Sequence, residues 1–247
     1  MRLPTKITPD SISEAVVEIR YLANLPFEVL LGLFFEAFDE SYTYTSRPPK
    51  PPRQGLYENR QQGLVINLGG EKLLYNDKIT ILLRNNAFVF SCLDGYIGWE
   101  AFRPEVEKAV KTIEGTGKIT KWNRVGLRYI SQYPNTDLKA CTNFDFTFGQ
   151  PSIKSTSTAL RTEFNYEGTK VILNLSNQVP MLRRQTVNKI PETVPTSVID
   201  VDVIKELLDA SDANGLMNIA DEVHLIEKEI FFSLLTEKFL ETLNPEY

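Results

Sequence analysis

The sequence predicts an α+β fold, an antiparallel sheet with helices on one face. Three observations predict it. Several short segments alternate apolar and polar side chains with period two, the pattern of a strand with one buried face. Paired turn residues, Gly69-Gly70, Asn76-Asp77, Asn85-Asn86 and Glu167-Gly168, separate neighbouring strand-like runs as in hairpins. Three longer segments repeat their apolar residues at helical spacing instead.

Each element follows in order. Residues 14–22 alternate Glu14, Glu18 and Arg20 with Ala15, Val17, Ile19 and Tyr21, and predict a strand. Pro26 suits a helix entry, and residues 27–41 set Leu30, Leu31, Phe34, Phe35 and Phe38 on a wide apolar face. Arg47-Pro-Pro-Lys-Pro-Pro-Arg53 excludes helix and central strand and predicts an extended loop. Residues 63–68, 71–76, 78–84 and 87–92 predict a meander of short strands. A helix from about Gly98 to Glu114 carries Trp99, Phe102, Val106, Ala109, Val110 and Ile113 on one stripe, and Gly115 and Gly117 end it. Residues 119–131 predict a long strand. Further strands are expected at 142–148, 158–166, 169–176 and 196–203. The connection 177–195, with Pro180, Pro191 and Pro195, lacks clear periodicity and reads as a long loop. A terminal helix is expected from about Leu216 to Leu243. It is apolar on more than one side, as a helix buried between layers or against a second copy must be.

A chain of 247 residues can bury a substantial core. The pattern allows one compact unit over 1–247, or two similar β-rich halves, 1–135 and 136–247, each with a long helix. A net charge of -5 excludes a general nucleic-acid or anionic-membrane binder, which needs an excess of Lys and Arg. The N-terminus lacks the apolar run of a signal peptide, and Phe27–Phe38 is too short to span a bilayer, so a cytoplasmic location is expected. Cys92 and Cys141 read as free thiols. One histidine and no Cys-x-x-Cys argue against a zinc site, so no metal and no cofactor are expected.

The strongest functional signal is charge on otherwise apolar strands. Glu14, Glu18, Arg20, Arg124, Arg128, Arg161, Glu163, Asp200 and Asp202 each lie at an alternating position, so each set projects to one side of its strand. In a shared cavity the arginines would clamp phosphate or carboxylate. Asp200 and Asp202 together could hold magnesium with a phosphate ligand. The style is similar to that of triphosphate-tunnel enzymes, but Glu14-x-x-x-Glu18-x-Arg20 departs from their Glu-x-Glu-x-Lys strand. The competing reading is cross-strand ion pairing on a wet face. His224 reads as a structural histidine, since no triad arrangement accompanies it. No Walker loop, dinucleotide fingerprint or nucleophile elbow is present, and no catalytic residue is assigned. Tyr96, Leu225, Phe232 and Phe239 are the expected interface residues.

Four stretches together resemble a known family: residues 13–21 (SEAVVEIRY), 96–102 (YIGWEAF), 124–130 (RVGLRYI) and 224–236 (HLIEKEIFFSLLT). The set is similar to a sporadically distributed family of prokaryotic proteins of about this length, marked by the Gly-Leu-Arg-Tyr-Ile strand and without an established biochemical activity. Ser131 stands where that pattern has Asn. The resemblance implies a cytoplasmic accessory protein carried on mobile or defence-related islands, an antitoxin or immunity-type partner among them, and no catalytic residues. The expectation is therefore a non-enzymatic interaction or ligand-binding accessory protein, with a protein partner or as a homo-oligomer. The alternative is a phosphate-ligand enzyme acting on a polyphosphate or nucleotide.

Overall fold

A computed structural model describes residues 2–47, 71–144, 157–184, 191–210 and 212–247. The strand expected at 63–68, the Gly69-Gly70 turn, the proline-rich segment at 48–53 and residues 145–148 lie outside these. The elements in order are β1 (Ile12–Ala23), α1 (Phe27–Ala37), β2 (Thr43–Arg47), β3 (Glu71–Tyr75), β4 (Ile79–Arg84), β5 (Ala87–Cys92), α2 (Trp99–Gly115), β6 (Ile119–Pro134), α3 (Leu138–Cys141), β7 (Thr158–Tyr166), β8 (Thr169–Arg184), β9 (Pro191–Ala210), α4 (Ala213–Leu234) and α5 (Glu237–Thr242). The fold is α+β. The strands form an antiparallel sheet in the order β2-β3-β4-β5-β1-β6-β9-β8-β7.

Two compact units are distinguished. The first comprises Met1–Ala15, Leu127–Lys205 and Asp221–Tyr247, and the second Val16–Gly126 and Glu206–Ala220. A boundary near residue 135 does not separate them, because β1, β6, β9 and α4 each supply residues to both.

In the second unit the period-two pattern of β1 works as the sequence implies. Val17 and Ile19 pair in register with Phe90 and Phe88 of β5, and all four are buried. Tyr21 stacks on Phe88 with ring centroids 4.6 Å apart, and Phe34 of α1 meets Phe88 edge-on at 5.1 Å. Helix α1 therefore covers this face of the strands. It stops at Ala37, short of the expected residue 41, with Phe38 extended and its N–H still bonded to the Phe34 carbonyl. Helix α2 packs beside α1, and the stripe from Trp99 to Ile113 is buried as its spacing predicts.

In the first unit β7 and β8 form a two-residue hairpin. Glu167 and Gly168 both take positive φ, 47° and 71°, as a turn matching strand twist requires. The expected loop at 177–195 is instead strand at both ends. β8 continues to Arg184 and β9 begins at Pro191, with Pro180 opposite Pro195 and a register shift between Ser176 and Val179. Prolines hid this ribbon, since they break the alternation and remove donors at positions a strand tolerates only at bulges or edges. The expected 142–148 strand shrinks, among the described residues, to a single bridge between Thr142 and Leu235, preceded by the short α3. The expected terminal helix is two helices. Thr236 breaks it by capping α5, its hydroxyl accepting from the Phe239 N–H.

Candidate functional site

The charged strand residues point away from the helices. In β1 the buried set Ala15, Val17, Ile19 and Tyr21 alternates with half-buried Glu14, Val16, Glu18 and Arg20. In β6 Leu127 and Tyr129 face the helix side, where the Tyr129 hydroxyl lies 3.2 Å from His224 Nδ1 of α4, and Arg128 faces the other way.

In the first unit this outward face carries a polar row across four strands. The pairing places Arg161 of β7 opposite Asn174 of β8, and Asn174 opposite Asp200 of β9. Side chains follow the register. Arg161 Nη1 donates to Asn174 Oδ1 at 3.3 Å, and Asn174 Nδ2 donates to Asp200 Oδ2 at 2.9 Å. Arg128 closes the row with a two-pronged pair, Nε to Oδ1 at 2.8 Å and Nη2 to Oδ2 at 2.7 Å. A second branch starts from Arg161, whose Nη2 donates to Glu163 Oε1 at 2.6 Å, while Lys170 Nζ reaches Glu163 Oε2 at 2.6 Å. The Asp200 hydrogen bond, and behind it the charges of Asp200, Asp202 and Glu14, hold the Arg128 guanidinium above its ordinary pKa. Lys170 and then Arg161 hold the Glu163 carboxyl below the usual range. Asp202 sits one step along the same face of β9, opposite Ile172.

The second unit gathers a separate trio. Glu18 accepts from Arg20 Nε at 2.8 Å and lies 3.2 Å from Arg124 Nη2. Arg124 Nε is buried with no hydrogen-bond partner among the described residues. The expected nine residues thus form two groups: Glu14, Arg128, Arg161, Glu163, Asp200 and Asp202 in the first unit, and Glu18, Arg20 and Arg124 in the second.

Within each group, charge meets opposite charge. That arrangement can lock strand register, because a one-residue slip would send the partners to opposite faces. An apolar recess in the first unit, with Leu138, Lys139, Leu160, Leu175 and Asn177 among its lining residues, includes none of these charged side chains.

Sequence reasoning missed two members of the row, Asn174 and Lys170. A signal for Asn174 exists: it is the lone amide in the apolar run Val171-Ile-Leu-Asn-Leu175. A buried amide in such a strand needs partners, which marks it for cross-strand hydrogen bonding.

The remaining candidates separate by burial. Leu225 is 55% exposed on α4, whereas Phe232 is 6% exposed within the single chain and packs edge-on against Phe231, so Phe232 is a core residue and not part of an outer face. Phe239 is half-buried against Tyr133, with ring centroids 5.4 Å apart, and Tyr96 is half-buried before α2. Burial, with Lys228 adding to it and Asp221 opposing, pushes the His224 imidazole down to about 4. Glu227, one turn further on, is buried, and desolvation pushes its carboxyl well above the usual range. Cys92 and Cys141 are free, with burial raising both thiols. Among the described residues no group of three or more His, Cys, Asp or Glu is placed to hold a metal ion, and no helix is long and apolar enough to cross a membrane.

No protein-family model matches the chain, and no curated protein matches it.

Proposed function

We propose that this chain is a non-enzymatic interaction or ligand-binding accessory protein of the cytoplasm, working through a protein partner or a second copy. One observation carries the reading: in the first unit the strand-face arginines are engaged by neighbouring side chains. The two prongs of Arg128 lie on Asp200, and Arg161 is divided between Asn174 and Glu163. An array built to clamp a phosphate keeps bidentate donors free for the ligand. Here binding a phosphate would mean breaking a guanidinium–carboxylate pair whose anion is buried. The likeness to accessory proteins of mobile or defence-related islands agrees with this reading.

A thermal-shift screen with ATP, inorganic triphosphate and magnesium tests it against the phosphate-ligand enzyme. A ligand that binds only the folded state must raise Tm. The expected result is no rise with any of them. A rise of several degrees in the native chain that disappears in Arg161→Ala would show a phosphate site on the charged strand face, and turnover of that ligand would then transfer the assignment to the enzyme.

A further inference from the structure

We propose that the outer face of α1 in the second unit is a docking surface for an apolar, positively charged segment of a partner protein. The inference rests on the interaction reading above and names its surface.

The first observation is surplus apolar area. α1 is among the most hydrophobic segments of the chain, yet only Leu30 and Phe34 within it are buried. Val29 is 49% exposed and Phe35 is 53% exposed, and Leu22 and Leu25 on the connection into the helix are exposed as well. Glu28, Gly32 and Glu36 follow one another at i, i+4, i+8 and mark the middle of the exposed face. Phe35 and half-buried Leu31 flank that line on one side, and Val29 and half-buried Leu33 on the other.

The second observation is the glycine itself. Gly32 sits mid-helix, where glycine weakens a helix relative to alanine. A Cβ added there would meet nothing within 4 Å among the described residues, so no packing among them calls for a glycine. A bare backbone between two apolar flanks lets another backbone approach closely.

The third observation selects the occupant. From residue 21 to residue 46 the chain has no Lys or Arg, and its charges are Glu28, Glu36, Asp39 and Glu40. Lys108 of α2 reaches Asp39 at 3.4 Å, but Glu28 and Glu36 form no ion pair among the described residues. Two copies docked through this face would oppose acidic side chains to acidic side chains. A partner with apolar anchors and flanking Lys or Arg meets the apolar area and the charge together.

The test is selection from a displayed library of amphipathic helical peptides on the full chain, with binding of the selected peptides measured by fluorescence anisotropy. The native chain is expected to select apolar peptides rich in Lys and Arg, and Glu28→Lys with Glu36→Lys should turn the preference to Asp and Glu. Phe35→Ala should weaken the selected peptides by about tenfold or more. Gly32→Leu is the control for folding: it should raise Tm by improving the helix while abolishing binding. Peptides with no charge bias, or binding that survives Gly32→Leu, would overturn the assignment to α1 and leave the interaction reading standing. No enrichment on any variant would sink both. A dimer in light scattering that Phe35→Ala abolishes would assign the face to a second copy and overturn the basic-partner proposal.

Discussion

Asp200 and Arg128 are an asymmetric pair: the Asp200 side chain is 5% exposed, while the Arg128 side chain that grips both its oxygens is 43% exposed. Removing the two partners therefore has different consequences. Arg128→Ala leaves a buried anion still bonded by Asn174, and should cost about 2–3 kcal/mol, short of a fully buried pair because water reaches the site. Asp200→Asn leaves a cation that solvent can accommodate, and should cost about 1 kcal/mol. Urea midpoints of the two variants check this order. The reverse order would mean that Asp200 has other strong donors.

That pair was half legible in the sequence. Period-two alternation placed Arg128 and Asp200 on definite faces of their strands, because a half-buried strand must alternate. It could not join residues 72 positions apart, since sheet neighbours are set by topology and register rather than by local pattern. The same limit kept Asn174 out of the row and left unsaid which expected residues share a unit. Local signals failed where they conflicted. Prolines at 180, 191 and 195 concealed the β8–β9 ribbon, and continuous apolar spacing through Leu235 concealed the break that Thr236 makes before α5. β2, five residues paired on the sheet margin, went unread although Tyr42-Thr43-Tyr44-Thr45 alternates with period two.

His224 and Glu227 should give opposite pH dependences. The His224 ring titrates near 4 when folded and near 6.5 when unfolded, so the unfolded chain takes up the extra proton between these values. Its contribution is complete above pH 6.5 and is lost as pH falls toward 4, by at most about 3 kcal/mol. Glu227 keeps its proton when folded at pH values where the unfolded carboxyl, near 4.5, has lost it. The folded chain then binds more protons, so stability falls as pH rises above 4.5. His224→Gln should remove the acid-side loss, and Glu227→Gln the loss on raising pH. Urea midpoints across pH 4–8 would refute the assignments if either variant kept the native slope.

The Glu167-Gly168 turn sets a conflict between residue type and backbone. Both positions have positive φ, which glycine adopts freely and glutamate does not. Glu167→Asn should stabilise by up to about 1 kcal/mol, because asparagine tolerates the left-handed region. Gly168→Ala should destabilise by about 1 kcal/mol, although a Cβ there meets nothing within 4 Å, since the strain lies in the backbone. Equal effects of the two substitutions would contradict this turn geometry.

Phe34 and Phe35 are neighbours with opposite duties. Phe34 is fully buried, edge-on to Phe88 at 5.1 Å and to Tyr21 at 6.2 Å. Phe34→Ala removes a ring from a close-packed aromatic cluster, and should cost about 3–4 kcal/mol. Phe35 is about half exposed, and its ring meets Tyr44 edge-on at 5.3 Å. Phe35→Ala should cost less than about 1 kcal/mol. The comparison also measures how α1 is rotated: a helix turned to bury Phe35 would exchange the two costs. A large loss for Phe35→Ala in the isolated chain would place that ring in the core and withdraw the apolar face from any partner.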